Sequence, residues 1–320
     1  MPISISRSCP ICKSQKGRFK HYLFDNDNLI WNKKVSIYEC RQCKCFFSMI
    51  SSDEIPYDSN YYVFADYRKA ADIAFAQHCW QWLLERTNVV KKKLLDVGSG
   101  RGYFCEMARH GGSAVIGLEP SRGVAEEAQR RGCPTIVGFF EEIDLGQNIY
   151  DILTMWDVLE HFNDPALCLG KANDLLMKRG LLAISVPNRS SLFAKIAGSY
   201  WKGYNPYHVS HFSIQGLVAL LQKKGFRVIS LDTHENNPFS REGLYRLGIK
   251  DRIKANMIKL PIGRKQIINR RGKMSGKKEI ITGHDDYLDN TKRSILVELS
   301  VKLVECLRMG DQIRVLAEKI

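Results

Sequence analysis

Residues 94–104 read LLDVGSGRGYF, and this stretch constrains the fold of the 320-residue chain more than any other. An apolar run leads into three glycines at alternating positions, Gly98, Gly100 and Gly102. A strand that passes through a glycine-rich turn into a helix opens a nucleotide-binding α/β unit. The dinucleotide fingerprint is G-x-G-x-x-G, whereas the spacing here is G-x-G-x-G with Asp96 just before it. The turn therefore predicts a ligand other than a dinucleotide.

The turn stands at the start of a repeated alternation of strands and helices. Short apolar runs predict strands in KLLDV, AVIGLE, TIVG, YDILTMWD, LLAISVP and FRVISLD. Capping residues predict the helices between them: Ser121, Ser213, and Asp164 followed by Pro165, whose helix is expected to end near Gly180. Such repeated units indicate an α/β fold, a doubly wound, mostly parallel seven-stranded Rossmann-like sheet with its ligand crevice at the carboxyl ends of the strands.

Three parts are predicted along the chain. Residues 1–50 hold a small module with two cysteine pairs, 51–92 form a helical connector or lid, and 93–320 form the nucleotide-binding domain. The run QIRVLAEK predicts a last strand, which is expected to join the edge of the same sheet. Residues 240–310 are accordingly interpreted as a helical, basic insertion before that strand.

Charge is concentrated in one part of the chain. The formal net charge is +14, and residues 241–278 hold 13 Lys or Arg against 2 acidic residues. Such a segment can meet a phosphate-rich partner, or it can be a solvated surface loop. No apolar stretch is long enough for a signal peptide or a membrane span, which predicts a cytoplasmic protein without a transmembrane segment.

Four of the ten cysteines form two Cys-x-x-Cys pairs, CPIC with Cys9 and Cys12, and CRQC with Cys40 and Cys43. Two such pairs beside turn-forming residues have the ligand number and spacing of a structural tetrahedral zinc site. Unmetallated thiols are the main alternative, and disulfides are less favoured in a chain without a secretory signal. Cys45 is close enough in sequence to replace Cys43 as a ligand.

The residues around the turn indicate the kind of ligand it holds. A carboxylate at the strand tip, Asp96, would repel a phosphate and attract a cation, which fits the sulfonium and amino group of S-adenosylmethionine. Glu119, at the end of the next strand, can accept hydrogen bonds from ribose hydroxyls. Phe139 and Phe140 are candidates for an adenine slot with Glu141 beside them, and the alternative is that both are core phenylalanines.

Four stretches, LLDVGSGRGYF, VIGLEPS, YDILTMWDVLEHFNDP and GLLAISVPN, occur here in an order and at separations that resemble the class I S-adenosylmethionine-dependent methyltransferases. The resemblance covers residues 93–232 and extends to GDQIRVLAEK. It implies a methyltransferase activity and S-adenosylmethionine as cofactor. The residues expected to bind the cofactor are Asp96, Gly98, Ser99, Gly100, Gly102, Glu119, Pro120, Phe140, Glu141, Trp156 and Asp157.

The cysteine module resembles the zinc ribbon that precedes many bacterial small-molecule and sugar methyltransferases of this class. The resemblance implies a structural Zn²⁺ held by Cys9, Cys12, Cys40 and Cys43. It also implies that the connector YDSNYYVFADY covers the cofactor, with Tyr61, Tyr62 or Tyr67 as contacts. The 320 residues contain no counterpart of the large carboxy-terminal domain of the sugar C-methyltransferases, so that specific activity is not expected.

Methyl transfer to a hydroxyl or a carbon acid needs a base as well as positioning of the acceptor. The candidates are His161, His208 and His211, because histidine is the usual proton-transfer residue near neutral pH. Each of them can instead be a core residue with satisfied hydrogen bonds. Asp157, Glu160 and His161 would share one face if their segment were helical. Some ubiquinone-biosynthesis O-methyltransferases bind a divalent ion through a similar sequence.

Three functions remain open at the level of sequence. The first is a methyltransferase for an oxygen or carbon atom of a small-molecule or glycan-precursor acceptor. The second is an RNA methyltransferase that binds nucleic acid through the cysteine module and the basic segment. It is not favoured, because no base-gripping Asn-Pro-Pro-Tyr type sequence follows YDILTMW. The third is a non-catalytic, cofactor-binding partner protein. The sequence gives no prediction of the oligomeric state.

Overall fold

The computed structural model describes residues 8–22, 35–49, 69–201, 203–205, 207–234 and 309–320. The predictions for the tyrosine-rich connector, for the basic segment 241–278 and for the helix that precedes the last strand lie outside these residues. Within the described ranges, no helix combines the length and the apolar character that crossing a membrane requires.

Eleven strands and six α-helices form the described part. In chain order they are β1 (Gly17–Tyr22), β2 (Ser36–Cys40), β3 (Phe46–Met49), α1 (Lys69–Leu84), β4 (Lys93–Val97), α2 (Tyr103–His110), β5 (Ala114–Glu119), α3 (Arg122–Arg130), β6 (Thr135–Val137), β7 (Tyr150–Trp156), α4 (Pro165–Leu175), β8 (Leu176–Pro187), α5 (Leu192–Ala197), β9 (Ser210–His211), α6 (Ile214–Lys223), β10 (Phe226–His234) and β11 (Gln312–Lys319). Short 3₁₀ helices occupy Leu159–His161 and Gly198–Tyr200.

The large sheet has seven strands in the order β10-β11-β8-β7-β4-β5-β6. The pairs among β4 to β8 are parallel, and β11 is antiparallel to both β8 and β10. This arrangement confirms the predicted Rossmann-like, mostly parallel fold. The prediction that the last strand lies at the sheet edge is wrong, because β11 lies between β8 and β10. Its six central residues are buried, which an edge strand would not achieve.

Side chains cap the helices as the sequence predicts. Asp164 Oδ1 accepts hydrogen bonds of 3.1 Å from the backbone N–H groups of Ala166 and Leu167. Ser213 Oγ accepts one from the N–H of Gly216 at 3.1 Å. These bonds satisfy donors that have no partner within the helix, which fixes where α4 and α6 begin.

The end of α4 differs from the prediction. The helix stops at Leu175 and not near Gly180, and β8 begins at Leu176. Leu176 pairs with Tyr150 of β7 and is fully buried. Burial in the sheet outweighs the helix propensity of the run LLMKR, since propensity is a weak preference that tertiary packing overrides.

A second, smaller sheet joins the cysteine module to the rest of the molecule. Its order is β1-β2-β3-β9, and β9 comes from the chain segment after β8. The buried cluster around Cys9, Cys45 and Phe47 continues into Leu159 and Phe212. The module therefore shares its apolar core with the large sheet.

Candidate active site and metal centre

The glycine turn links β4 to α2 and is fixed to the neighbouring strand. The backbone N–H groups of Gly98 and Ser99 both donate to the carbonyl of Leu118 in β5, at 2.8 and 3.1 Å. All three glycines have positive φ, at 69°, 53° and 78° in chain order. L-residues rarely adopt this left-handed conformation, which explains why glycine recurs at this spacing.

The two outer glycines of the turn are tightly packed, and the central one is open. A Cβ at Gly98 would lie 2.4 Å from Val158 Cγ2, and one at Gly102 would lie 2.7 Å from Ala128 Cβ. None of the described residues has an atom within 4 Å of a Cβ placed at Gly100. The turn thus leaves room for a ligand to approach its backbone at Gly100, and this fits the predicted cofactor.

Asp96 lies beneath the turn and is 2% exposed. Its Oδ1 accepts a hydrogen bond from Thr154 Oγ1 at 2.6 Å, and its Oδ2 accepts one from the Cys105 thiol at 3.5 Å. Burial raises the pKa of Asp96 to about 7, although both hydrogen bonds oppose the rise. A cation bound nearby would favour the ionised form, which suits a sulfonium or ammonium ligand.

Glu119 closes β5 on the other side of Gly100. Its Oε2 accepts from the Gly100 N–H at 3.0 Å and its Oε1 accepts from the Ser121 N–H at 2.9 Å. Burial raises the pKa of Glu119 to about 7 as well. Each carboxylate oxygen has a second lone pair, so the group can also accept from ribose hydroxyls. Pro120, the residue between Glu119 and Ser121, is half-buried.

The two phenylalanines predicted as an adenine slot have different environments. Phe140 is 3% exposed and packs edge-on against Phe162 at 6.1 Å between ring centroids, which is the environment of a core residue. Phe139 is 43% exposed, and Glu141 is exposed. Phe139 is thus the better placed of the pair for stacking on a ligand ring.

The end of β7 holds Trp156 and Asp157. The Trp156 ring lies 5.3 Å from Phe104 and 6.2 Å from Trp82, and its Nε1 is buried without a hydrogen-bond partner. Asp157 has a φ of 56°. Its carboxylate accepts from Ser185 Oγ at 2.6 Å and from Gln312 Nε2 at 3.1 Å. Neither Ser185 nor Gln312 was predicted, because their contact with Asp157 depends on strand order.

Glu160, His161 and His208 form a compact cluster in which one ligand atom from each lies within 4.8 Å of the others. His161 Nδ1 lies 3.0 Å from the Tyr207 carbonyl, and His208 Nδ1 lies 3.0 Å from the Gly203 carbonyl. Because a carbonyl only accepts, each Nδ1 carries the proton and each Nε2 presents a lone pair. Among the described residues, Asp157 does not join this cluster. It has a positive φ and lies before the 3₁₀ helix Leu159–His161, so it does not share a helical face with Glu160 and His161.

The charge states of the cluster follow from its burial. Burial lowers the pKa of His161 to about 4, and burial and the neighbouring histidines lower that of His208 well below its usual value. Burial, with the charge of Asp157, raises the pKa of Glu160 well above its usual value. Both oxygens of Glu160 are buried and accept no hydrogen bond from any described residue, and His208 Nε2 lies 3.9 Å from one of them. The cluster can accept a proton, and its two imidazoles and one carboxylate also suit a divalent cation.

His211 has a different setting from the other two histidines. It lies in β9, is 2% exposed, and its Nε2 lies 3.0 Å from Ser48 Oγ in β3. Ser48 Oγ donates its hydrogen to the His208 carbonyl at 2.8 Å, so His211 Nε2 is the donor to Ser48. Burial lowers the pKa of His211 to about 3. This histidine thus links the cysteine module to residues 207–213, here called the histidine segment, which contains His208 and His211.

The four predicted zinc ligands come together at the base of the small sheet. Their sulfurs all lie within 4.8 Å of one another, with Cys9 and Cys43 at 3.7 Å and Cys12 and Cys40 at 3.5 Å. The hydrogen bond with Cys43, together with burial, raises the pKa of Cys9, so the thiolates need a cation to ionise together. The donor set and its closed geometry fit a structural Zn²⁺.

Comparison with known proteins supports the interpretation of the large domain as a methyltransferase. Residues 67–231, just over half of the chain, match a family described as a methyltransferase domain. The ubiquinone biosynthesis O-methyltransferase of Saccharophagus degradans is 28% identical over 182 residues, which are 52% of this chain and 76% of that protein. C-methyltransferase NovU of Streptomyces niveus is 28% identical over 145 residues, 44% of this chain but only 34% of that protein.

Solved structures show the fold. A Thermotoga maritima protein described as an S-adenosylmethionine-dependent methyltransferase and possible histamine N-methyltransferase superimposes with a TM-score of 0.51 at 17% identity, over 81% of this chain and 97% of that one. An S-adenosylmethionine-dependent methyltransferase from Archaeoglobus fulgidus has the same TM-score and identity and is covered to 99%.

Proposed function

This chain belongs to the methyltransferase-domain family and is an S-adenosylmethionine-dependent methyltransferase, and from that premise we propose that its acceptor is an oxygen or carbon atom of a small molecule or glycan precursor. The observation that carries the methyl donor is the open Cβ position at Gly100, whose N–H donates to the buried Glu119. The O- and C-methyltransferases among its relatives support an acceptor of this class.

The cofactor supplies an electrophilic methyl group on a sulfonium. Around it, the chain provides the backbone of Gly98 to Gly102, with Glu119 for the ribose and Asp96 for the positive charge. The Trp156 ring is placed to contact the methionine part of S-adenosylmethionine. Since methyl transfer is an in-line displacement, the main contribution of these residues is to hold donor and acceptor in line.

We assign the base to the cluster of Glu160, His161 and His208. A proton leaving the acceptor is taken by the Nε2 lone pair of His208. Glu160, whose Oε1 lies 3.9 Å from that nitrogen, stabilises the resulting imidazolium when it is ionised, a form that its raised pKa restricts to higher pH. Glu160→Gln is expected to lower kcat by about 10²-fold and to leave the Kd for S-adenosylmethionine unchanged. An unchanged kcat would contradict the assignment. A divalent cation that remains in Cys9→Ser and is lost from Glu160→Gln would indicate a metal ion at these residues.

We propose that Cys9, Cys12, Cys40 and Cys43 hold one structural Zn²⁺. Metal analysis of the purified protein is expected to give about one zinc per chain. Cys9→Ser should remove it, whereas Cys168→Ala, at a buried cysteine outside the cluster, should not. Equal zinc in both variants would contradict the proposal.

The acceptor is found by transfer of label. The chain is incubated with methyl-labelled S-adenosylmethionine and fractionated cell extract, and label is expected in the small-molecule or glycan-precursor fraction. Label in RNA would overturn this proposal in favour of the nucleic-acid alternative, in which the affinity of the chain for RNA would also fall steeply with added salt.

The cytoplasmic location of this chain stays a prediction.

A further inference from the structure

A row of four side chains crosses the large sheet near the carboxyl ends of its parallel strands. Trp156 of β7 pairs with Ser185 of β8, Ser185 with Arg314 of β11, and Arg314 with Asp232 of β10. Directly paired residues project from the same face of a sheet. Helix α1 covers this face, because Trp82 donates from its Nε1 to Asp232 at 3.1 Å.

Arg314 is buried in this row without a partner. It is 5% exposed, and its Nε is buried with no hydrogen bond. Among the residues that the structure describes, its guanidinium forms no hydrogen bond or ion pair. An unpaired charge in an apolar setting is unfavourable, so a buried arginine is ordinarily matched by an anion.

Two carboxylates next to Arg314 in the sheet, that of Asp232 on β10 and that of Asp157 bound by Gln312, are held by other side chains. Asp157 is held by Ser185 and Gln312, and Asp232 accepts from Trp82 and from Arg86 Nη2 at 2.8 Å. Arg314 is close enough to the α1 residue Cys79 to oppose the rise in pKa that burial causes in that thiol. Arg314 thus carries a positive charge two residues from Gln312, which donates a hydrogen bond to Asp157, and its Nε has no hydrogen-bond partner among the described residues.

The position of Arg314 decides which ligand it can reach. It lies two strands beyond β7, about 10 Å away at the usual strand spacing, on the side opposite to Glu119 and the adenosine site. Gln312, two residues earlier on the same face, has a buried Oε1 without a partner. A guanidinium binds carboxylate or phosphate through two parallel hydrogen bonds, and the amide oxygen can accept from a hydroxyl.

We propose that Arg314 binds an anionic group, a carboxylate or phosphate, of the methyl acceptor, and that Gln312 Oε1 accepts from a neighbouring hydroxyl. The inference rests on the proposed function and narrows its acceptors to anionic small molecules. It makes Arg314 a specificity-determining residue.

The test uses inorganic phosphate and acetate as probes, titrated calorimetrically into the full chain with and without S-adenosylhomocysteine. We expect saturable binding to the wild type that is at least tenfold weaker in Arg314→Met. Arg227→Met, at an exposed arginine of β10 paired with Glu318, is the control and should bind as the wild type does. If the Met variant does not fold, Arg314→Lys keeps the charge, loses the planar fork and should still weaken both probes.

Three results would overturn the proposal. The first is the absence of saturable anion binding, or equal binding in Arg314→Met. The second is weaker S-adenosylhomocysteine binding in that variant, which would assign Arg314 to the cofactor carboxylate. The third is a lower melting temperature of Arg314→Met without any change in anion binding, which would make it a compensating charge for Asp157 and Asp232. Failure of the wild type to bind S-adenosylmethionine would instead refute the proposed function itself.

Discussion

At the scale of single residues, the proposed cofactor site rests on two buried carboxylates and one open glycine. Asp96 and Glu119 are nearly inaccessible, and burial raises the pKa of each to about 7. Their hydrogen bonds to Thr154, Gly100 and Ser121 fix their orientation. Gly100 then supplies the space between them.

Replacing Gly100 tests that space. Gly100→Ala adds a methyl group where the cofactor is expected, and we predict that it weakens S-adenosylmethionine binding about tenfold or more. Gly198→Ala is the control, because Gly198 also has a positive φ of 58° and no described atom lies within 4 Å of its Cβ position, but it belongs to the 3₁₀ helix Gly198–Tyr200. Both changes place an L-residue at positive φ, so equal affinities in calorimetry would show that Gly100 does not face the cofactor.

Cofactor binding should depend on pH. Both carboxylates have raised pKa values, so each is mostly protonated below pH 7 and ionised above it in the free protein. A cationic ligand prefers the ionised form, and affinity is expected to fall about tenfold per group between pH 8 and pH 6. Calorimetry across this range measures the change, and Glu119→Gln should remove one of the two contributions. A flat profile would contradict the assignment.

The raised pKa values of Asp96 and Glu119 also affect the stability of the free protein. An acid whose folded pKa lies above its unfolded value binds more protons in the folded state between those two values. Asp96 and Glu119 therefore destabilise the free fold as pH rises from about 4 to 7, and the cost is fully present above pH 7. A bound cation offsets it, so stabilisation by S-adenosylmethionine should be larger at pH 8 than at pH 6.

At the scale of elements, the cysteine module is tied to the histidine segment through β3 and β9. Phe46 pairs with His211, and Ser48 binds both His208 and His211 through its hydroxyl. Cys45 Sγ accepts from the Ser213 N–H at 3.4 Å at the start of α6. The module thus positions the segment that holds two of the predicted bases.

Gly216 tests the contact between the module and α6. A Cβ there would lie 2.1 Å from Cys45 Sγ, so we expect Gly216→Ala to lower the free energy of unfolding by about 1–3 kcal/mol through overpacking. Gly123→Ala in α3 is the control, since nothing lies within 4 Å of its Cβ. That change should raise stability by up to about 1 kcal/mol. Urea unfolding measures both, and a stabilising Gly216→Ala would show that the contact is loose.

At the scale of the whole molecule, one apolar core joins both sheets. The cluster that includes Cys9, Cys40 and Phe47 also includes Leu159 and Leu217. Elements that share a core lose packing together when one of them unfolds. The module and the large sheet are therefore expected to unfold as one unit.

Calorimetric unfolding tests this expectation. We predict a single transition for the zinc-loaded chain, and removal of zinc with a chelator should shift that whole transition to lower temperature. Cys9→Ser should reproduce the shift and no longer respond to the chelator. Cys168→Ala keeps the four ligands, so its single transition should shift with the chelator as that of the wild type does. Two separate transitions, of which only one responds to the chelator, would show that the module folds independently.

The sequence by itself determined the elements of the large sheet and the chemistry of two sites. Strand periodicity, Asp164 and Ser213 as caps, and the glycine spacing are local signals, and local sterics and hydrogen bonding enforce them. The spacing of the Cys-x-x-Cys pairs likewise predicts that the four cysteines cluster, and the structure decided for Cys43 over Cys45. For this reason the strand at 93–97 and the clustering of the four cysteines were predictable.

Only the tertiary structure decided what depends on packing between distant segments. It placed β11 inside the sheet, ended α4 at Leu175, and brought Glu160 to His208 but left Asp157 with Ser185. It also isolated the Arg314 guanidinium within a four-strand row. Strand order and burial set these contacts, and neither is encoded in a local pattern, because each depends on the free energy of packing the whole chain.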